Sequence, residues 1–163
     1  MAQNLSEQEI QRREKLDRLR ELGIDPYPAA EFKVDCSAED ILNNYESNKT
    51  LYKTVSFSGR IMRRRMQGKA AFVEMQDASA RIQVYFNRDE ICPDEDKTMY
   101  NEVFKKLVDT GDIIGVKGYV FTTKVGEITI HANEFVLLTK SLKPLPQPKV
   151  DADGKEHDAF SDP

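Results

Sequence analysis

Three strands, one helix and two further strands succeed one another along residues 54–138. That order predicts a mainly β fold with α: a five-stranded Greek-key barrel of the OB-fold type, its helix between strands three and four. The first strand is long and holds Gly59 in its interior, as suits a strand bent to serve both halves of a barrel. Polar, helix-spaced sequence precedes the strands and predicts an N-terminal helical extension.

The elements follow in order. Residues 6–22 form a helix: Ser6 and Glu9 fit a capping box, and Ile10, Leu16, Leu19 and Leu22 recur at helical spacing. Gly23 accepts the left-handed conformation that ends a helix, and Pro26 and Pro28 forbid continuation. A shorter helix starts at Ser37, capped with Asp40, and runs to about Asn44. Residues 54–65 alternate as strand one, and Gly59 predicts a bulge or sharp bend there. Gln67, Gly68 and Lys69 make a turn. Residues 70–76 and 81–87 are strands two and three. Residues 96–108 return to helical spacing, with Met99, Val103, Phe104 and Leu107 on one side. Residues 112–123 are strand four, Val125-Gly126 the turn, and residues 127–138 strand five. The expected organisation is a helical extension over 1–50, the barrel over 51–142, and a linker or poorly ordered tail over 143–163, rich in proline and acid.

The chain has 163 residues, 39% hydrophobic and 32% charged, a globular balance. No apolar run approaches the roughly 18 residues of a membrane helix, and the N-terminus lacks the apolar stretch of a signal peptide. Cys36 and Cys92 lie far apart without metal-ligand spacing, so a reduced, cytoplasmic protein is expected, without a membrane partner. The net charge of −4 argues against a nonspecific nucleic-acid binder. It conceals a basic centre: Arg60, Arg63, Arg64, Arg65 and Lys69 fall within ten residues without an acid between them.

Strand alternation separates two faces. Ala71, Val73 and Met75 share one face of strand two with Ile82, Val84 and Phe86 of strand three, and these point to the core. Ala70, Phe72, Glu74 and Gln76 oppose them, with Arg81, Gln83, Tyr85 and Asn87. Phe72 therefore points outward on a polar face. Either a helix or loop covers it, or it is a platform on which an unpaired base stacks, as on the strand two and three face of oligonucleotide-binding barrels. Gln83 beside it has the donor and acceptor to read a base edge. The arginine run is either a solvated face or a phosphate track. Alternation places Arg63 and Arg65 in phase with Ile61, so a bulge, or the strand leaving the barrel, must turn one of them out. His131 is expected as a polar-face strand residue rather than a catalyst. No nucleophile–base pair, metal cluster or phosphate loop stands out.

Four segments carry a family resemblance. RREKLDRLRELGIDPYP (12–28), GRIMRRRMQGKAAFVEMQDASARIQVY (59–85), GDIIGVKGYVFTTKVGEITIHANEF (111–135) and LLTKSLKPLP (137–146) resemble the N-terminal anticodon-binding region of class II lysyl-tRNA synthetases. The barrel alone also suits aspartyl- and asparaginyl-tRNA synthetases. The resemblance implies that Phe72 stacks on the middle anticodon base, that Gln83 reads it, and that Arg65 assists, with Arg63 and Arg64 as neighbouring candidates in the run. It implies that Glu127 recognises a flanking anticodon base. It further implies a lysine tRNA as partner, a homodimeric parent enzyme that joins lysine to that tRNA through lysyl-adenylate, and ATP and Mg²⁺ there. Neither cofactor nor catalytic residue is expected in this chain. A free-standing single-stranded nucleic-acid-binding module and a protein-interaction barrel are the competing readings.

Overall fold

A computed structural model describes residues 6–28, 32–142, 149–150 and 156–157. Helix α1 (Glu7–Glu21) opens it, and the Ser6 side chain accepts from the Glu9 backbone N–H at 3.2 Å. Gly23 ends it at φ 78°. The buried stripe differs from the expected one. Ile10 is exposed, and Arg12 is buried with Leu16 and Leu19. Arg12 goes inside because its guanidinium finds acceptors there, donating to the Thr110 and Ser141 carbonyls. Helix α2 (Ala38–Asn44) is capped by Ser37, whose hydroxyl accepts from the Asp40 N–H. One 3₁₀ turn, Lys49–Tyr52, leads into the barrel.

The barrel strands are β1 (Val55–Gln67), β2 (Ala70–Gln76), β3 (Arg81–Asn87), β4 (Ile113–Thr122) and β5 (Ile128–Thr139). They close in the order β1-β2-β3-β5-β4, with β1 also pairing β4. All pairs are antiparallel except β3 with β5. β1 serves both neighbours: residues 55–60 pair with β4 and residues 60–67 with β2. Gly59 sits at that handover, where an added Cβ would stand 2.9 Å from the Gln76 carbonyl oxygen. Of the bulge or sharp bend expected at Gly59, the bulge lies instead between Ile61 and Arg63, at Met62. Gly118 marks a second close approach. Its Cβ would fall 1.8 Å from the His131 oxygen, beside the irregularity where β5 holds one extra residue.

Between β3 and β4 lie a short helix, α3 (Arg88–Ile91), and a π-helix, Met99–Leu107. Sequence spacing put Met99 on the core side of a regular helix. Instead Met99 is exposed and Tyr100 is buried with Val103, Phe104 and Leu107. Tyr100 lies over Phe104, its i+4 neighbour on the buried face, with ring centroids 5.4 Å apart. Phe104 in turn stacks on Phe86 of β3 at 4.4 Å and so plugs the barrel. In the tail, Lys149–Val150 pair with Glu156–His157 as a two-residue ladder. The linker expected over 143–163 otherwise lies outside the described residues.

A buried ionic cluster fastens α1 and the end of β5 to the turn before β4. The Lys140 ammonium, with no side-chain exposure, lies 2.7 Å from Asp109 and 2.8 Å from Asp112. Lys15 of α1 reaches Asp109 at 2.6 Å. Asp112 also accepts from the Asp109 and Ser141 backbone N–H groups. The Lys140 N–H donates to the Pro26 carbonyl, and the Tyr27 hydroxyl donates to the Lys140 carbonyl. At the opposite end, Asp77 accepts from Ala38 at the start of α2 and from Ser79 and Ala80 in the β2–β3 turn.

These carboxylates set the acid response. Burial pushes Asp77 up, but the Ser79 hydroxyl and three backbone N–H donors outweigh it and hold the carboxyl below its ordinary value. Burial likewise pushes Asp109 up, and Lys140 and Lys15 outweigh that. A carboxyl lowered in the folded state contributes stability above its unfolded pKa and loses it as pH falls through the folded one. Asp112, which burial raises against the pull of Lys140, works in the opposite sense. The urea midpoint is therefore expected to hold down to about pH 4 and to fall below it. Asp77→Asn is expected to flatten that acid limb. An equally steep limb in the variant contradicts the assignment.

Candidate nucleic-acid interface

The bulge at Met62 resolves the phase of the arginine run. Beyond it Arg63 pairs with Glu74, Arg64 with Val73 and Arg65 with Phe72. Directly opposed residues share a face, so Arg63 and Arg65 join the outward set and are exposed. Arg64 takes the phase of Val73. Its guanidinium donates to the Phe104 carbonyl at 2.7 Å and lies 5.8 Å from the Phe104 ring centroid. Burial lowers its pKa, with Asp109 and Asp112 opposing. Arg64 thus ties the π-helix to β1, apart from the outward face, and the run divides into one inward and two outward residues.

Phe72 is half-buried on that outward face. The Arg65 guanidinium lies 5.2 Å from its ring centroid, and Tyr85 packs on it at 5.2 Å. The planar cation lies over the ring, so this part of the face presents an aromatic ring and a positive charge together. Gln83 sits in the neighbouring register row, opposite Glu74 on one side and Thr129 on the other. Its amide nitrogen donates to the Thr129 hydroxyl at 3.2 Å, and that hydroxyl donates to the Glu127 carbonyl. The amide is therefore held in one orientation. Glu127 is exposed where the β4–β5 turn enters β5, and its N–H donates to the Thr123 hydroxyl. Gly126, at φ 88°, makes that turn.

Gln83 and Glu127 share the lining of an open pocket of about 420 Å³, with Leu42 of α2, Glu74 and Arg81. Arg81 is held across it by Glu74 at 3.0 Å. The structure thus brings Arg65 and Phe72 together as a ring-and-cation surface, and Gln83 and Glu127 together as a polar pocket in the next row.

Sequence reasoning placed Tyr85 and His131 on this face but passed over Tyr119 and Phe121. Register row by row, Arg65, Phe72, Tyr85, His131 and Tyr119 stand opposite one another across β1, β2, β3, β5 and β4. Phe121 lies one row away, 5.7 Å from His131. The signal was present in β4, where Ile114, Val116 and Val120 are buried and so turn Tyr119 and Phe121 outward. His131 does stand on the outward face. Its Nε2 meets the Glu90 carboxylate and its Nδ1 the Tyr119 hydroxyl. Among the described residues no cluster of three or more His, Cys, Asp or Glu is placed to hold a metal ion. No helix among them is long and apolar enough to cross a membrane.

Comparison with known proteins gives the face a context. The tRNA anti-codon family, described as an OB-fold nucleic acid binding domain, matches residues 55–138. A lysine--tRNA ligase of Christiangramia forsetii is 54% identical over 161 residues, 99% of this chain and 28% of that protein. One from Porphyromonas gingivalis is 54% identical over 160 residues, 98% of this chain and 28% of that protein. One from Azobacteroides pseudotrichonymphae is 49% identical over 158 residues, 97% and 31% respectively. The chain spans less than a third of the length of these curated relatives.

Proposed function

The chain belongs to the tRNA anti-codon family of OB-fold nucleic acid binding domains, and we propose that it reads the anticodon of a lysine tRNA as the N-terminal region of a lysine–tRNA ligase. The single observation that carries this is the outward pair of Phe72 and Arg65 beside the Gln83–Glu127 pocket. Identity of 54% over nearly the whole chain to part of two lysine--tRNA ligases supports the choice of amino acid.

In this reading the middle anticodon base leaves its own stack and lies on the Phe72 ring. Arg65 braces the ring and offers charge to the adjoining phosphate. Gln83 presents its amide to the base edge, where a uracil offers both acceptor and donor groups. Glu127 accepts from a flanking base in the shared pocket. Arg63, exposed one row away, is a phosphate contact. Arg64 acts indirectly by fixing β1 against the π-helix. Residues 51–142 form the binding barrel, 1–50 its helical extension, and 143–163 the connection toward a catalytic part.

The parent enzyme would be a cytoplasmic homodimer that forms lysyl-adenylate and transfers lysine to the tRNA. ATP and Mg²⁺ supply the activation step in its catalytic part, and this chain's own residues bind and orient RNA. Aminoacylation by the chain alone is not expected.

The test is direct binding of the 163-residue chain to a fluorescently labelled lysine-tRNA anticodon stem-loop. Saturable binding is expected, competed by unlabelled stem-loop and not by a duplex of the same stem. Absence of binding at low salt, where phosphate contacts are strongest, overturns the proposal.

A further inference from the structure

The outward aromatic row extends beyond the residues that the reading above employs. Tyr85 joins Phe72 to His131, with centroids 5.2 Å and 5.0 Å apart. Tyr119 lies against His131 at 4.6 Å and only 17° from parallel. Three strand spacings separate Phe72 from Tyr119, about 14 Å around the barrel surface. One OB-fold engages about 4–16 nucleotides of single strand, so one base on Phe72 and one at Glu127 leave part of such a site unaccounted for.

Tyr119 ends the row. One ring face is covered by His131, and the residue remains 37% exposed, the most exposed ring of the row. Its position is fixed from behind. The Tyr119 hydroxyl is hydrogen-bonded to His131 Nδ1 at 3.0 Å, and Glu90 of α3 holds Nε2 of the same imidazole. A ring held this way loses little freedom when a flat partner lands on it. The charge along the row decides what that partner is. Arg65 stands at the β1 end and the Glu90 carboxylate at the β4 end. A phosphate is repelled at the Glu90 end, whereas an uncharged base stacks there freely.

We infer that the exposed face of Tyr119 is a second base-stacking surface, taken by a loop nucleotide flanking the one that lies on Phe72. The inference rests on the reading of the outward face as an RNA interface. The plainer role for such a row is cross-strand packing, worth about 0.2–1 kcal/mol per pair. That role predicts a stability change and no change in RNA affinity.

Binding of the lysine-tRNA anticodon stem-loop separates the two. Tyr119→Leu keeps an apolar side chain on β4 and removes the ring, and is expected to weaken binding at least about fivefold, the lower end of the loss per stacked base. Tyr119→Phe keeps the ring and is expected to bind as the unaltered chain does. A second measurement needs no variant: 2-aminopurine placed singly at each loop position should be quenched by the unaltered chain at a flanking position as well as at the middle base. If Phe72→Ala loses affinity while Tyr119→Leu stays within twofold and only the middle position is quenched, this inference falls and the anticodon reading stands. If neither substitution weakens binding, both fall. If Tyr119→Phe is as weak as Tyr119→Leu, the hydroxyl and not the ring face matters, and the stacking surface is overturned.

Discussion

Lys140→Met is expected to lower the stability of the chain by about 3–5 kcal/mol at neutral pH, the cost of removing one partner from a buried ion pair. Met matches the length of the lysine stem, so little cavity opens, and the loss is electrostatic. Asp112 has no exposure and loses the ammonium that contacts it, while Asp109 keeps Lys15. The two backbone donors on Asp112 do not replace a positive charge. The deficit has a pH signature. Burial already raises the Asp112 carboxyl, and removing Lys140 raises it further. A group raised in the folded state is least harmful below its unfolded pKa and increasingly so as pH rises toward the folded one. The gap between the unaltered chain and Lys140→Met, measured by urea denaturation, should therefore narrow as pH falls. Adding Asp112→Asn should restore part of the loss at neutral pH. A deficit below about 1 kcal/mol, or one independent of pH, contradicts the account.

Phe72→Ala is expected to weaken binding of the lysine anticodon stem-loop by about 5- to 150-fold, corresponding to the roughly 1–3 kcal/mol of one stacked base. The same substitution should leave the melting temperature within a few degrees. Phe72 contributes the Arg65 and Tyr85 contacts to the sheet, each worth about 0.2–1 kcal/mol, and does not belong to the buried core. A core phenylalanine costs about 3–5 kcal/mol on truncation to Ala. A large fall in melting temperature therefore marks Phe72 as a packing residue, and unchanged RNA affinity removes it from the interface.

Most of the barrel is legible because period two and period 3.6 differ sharply. The Ala71–Val73–Met75 and Ile82–Val84–Phe86 sets are all buried, as alternation requires. The Ser6 and Ser37 caps appear in the hydrogen bonds. Alternation failed at three places for physical reasons. A bulge shifts the phase of everything after it, so Arg63, Arg64 and Arg65 could not be oriented before Met62 was found to be the extra residue. Over Met99–Leu107 the core stripe starts at Tyr100 and not at Met99, because Tyr100, Val103, Phe104 and Leu107 stand at i, i+3, i+4 and i+7. Arg12 was hidden because its acceptors, Thr110 and Ser141, lie about a hundred residues away in sequence. For the site, Phe72 and Gln83 are adjacent in pattern, and their strands pair directly. The convergence of Gln83 with Glu127 depends on the parallel β3–β5 pairing. Local spacing does not encode that pairing. The same long-range pairing assembled Tyr85, His131 and Tyr119 into one row.

The reading of the outward face is tested most directly by changing one base. Affinity of the unaltered chain for the lysine anticodon stem-loop is compared with that for the same loop carrying cytidine at the middle anticodon position. In this reading either pyrimidine can stack on Phe72, but their edges differ in the donor and acceptor groups that Gln83 would meet. Binding at least about tenfold weaker for cytidine is expected, at roughly 1.4 kcal/mol for each factor of ten. Equal affinity for the two loops contradicts the claim that this face reads the base.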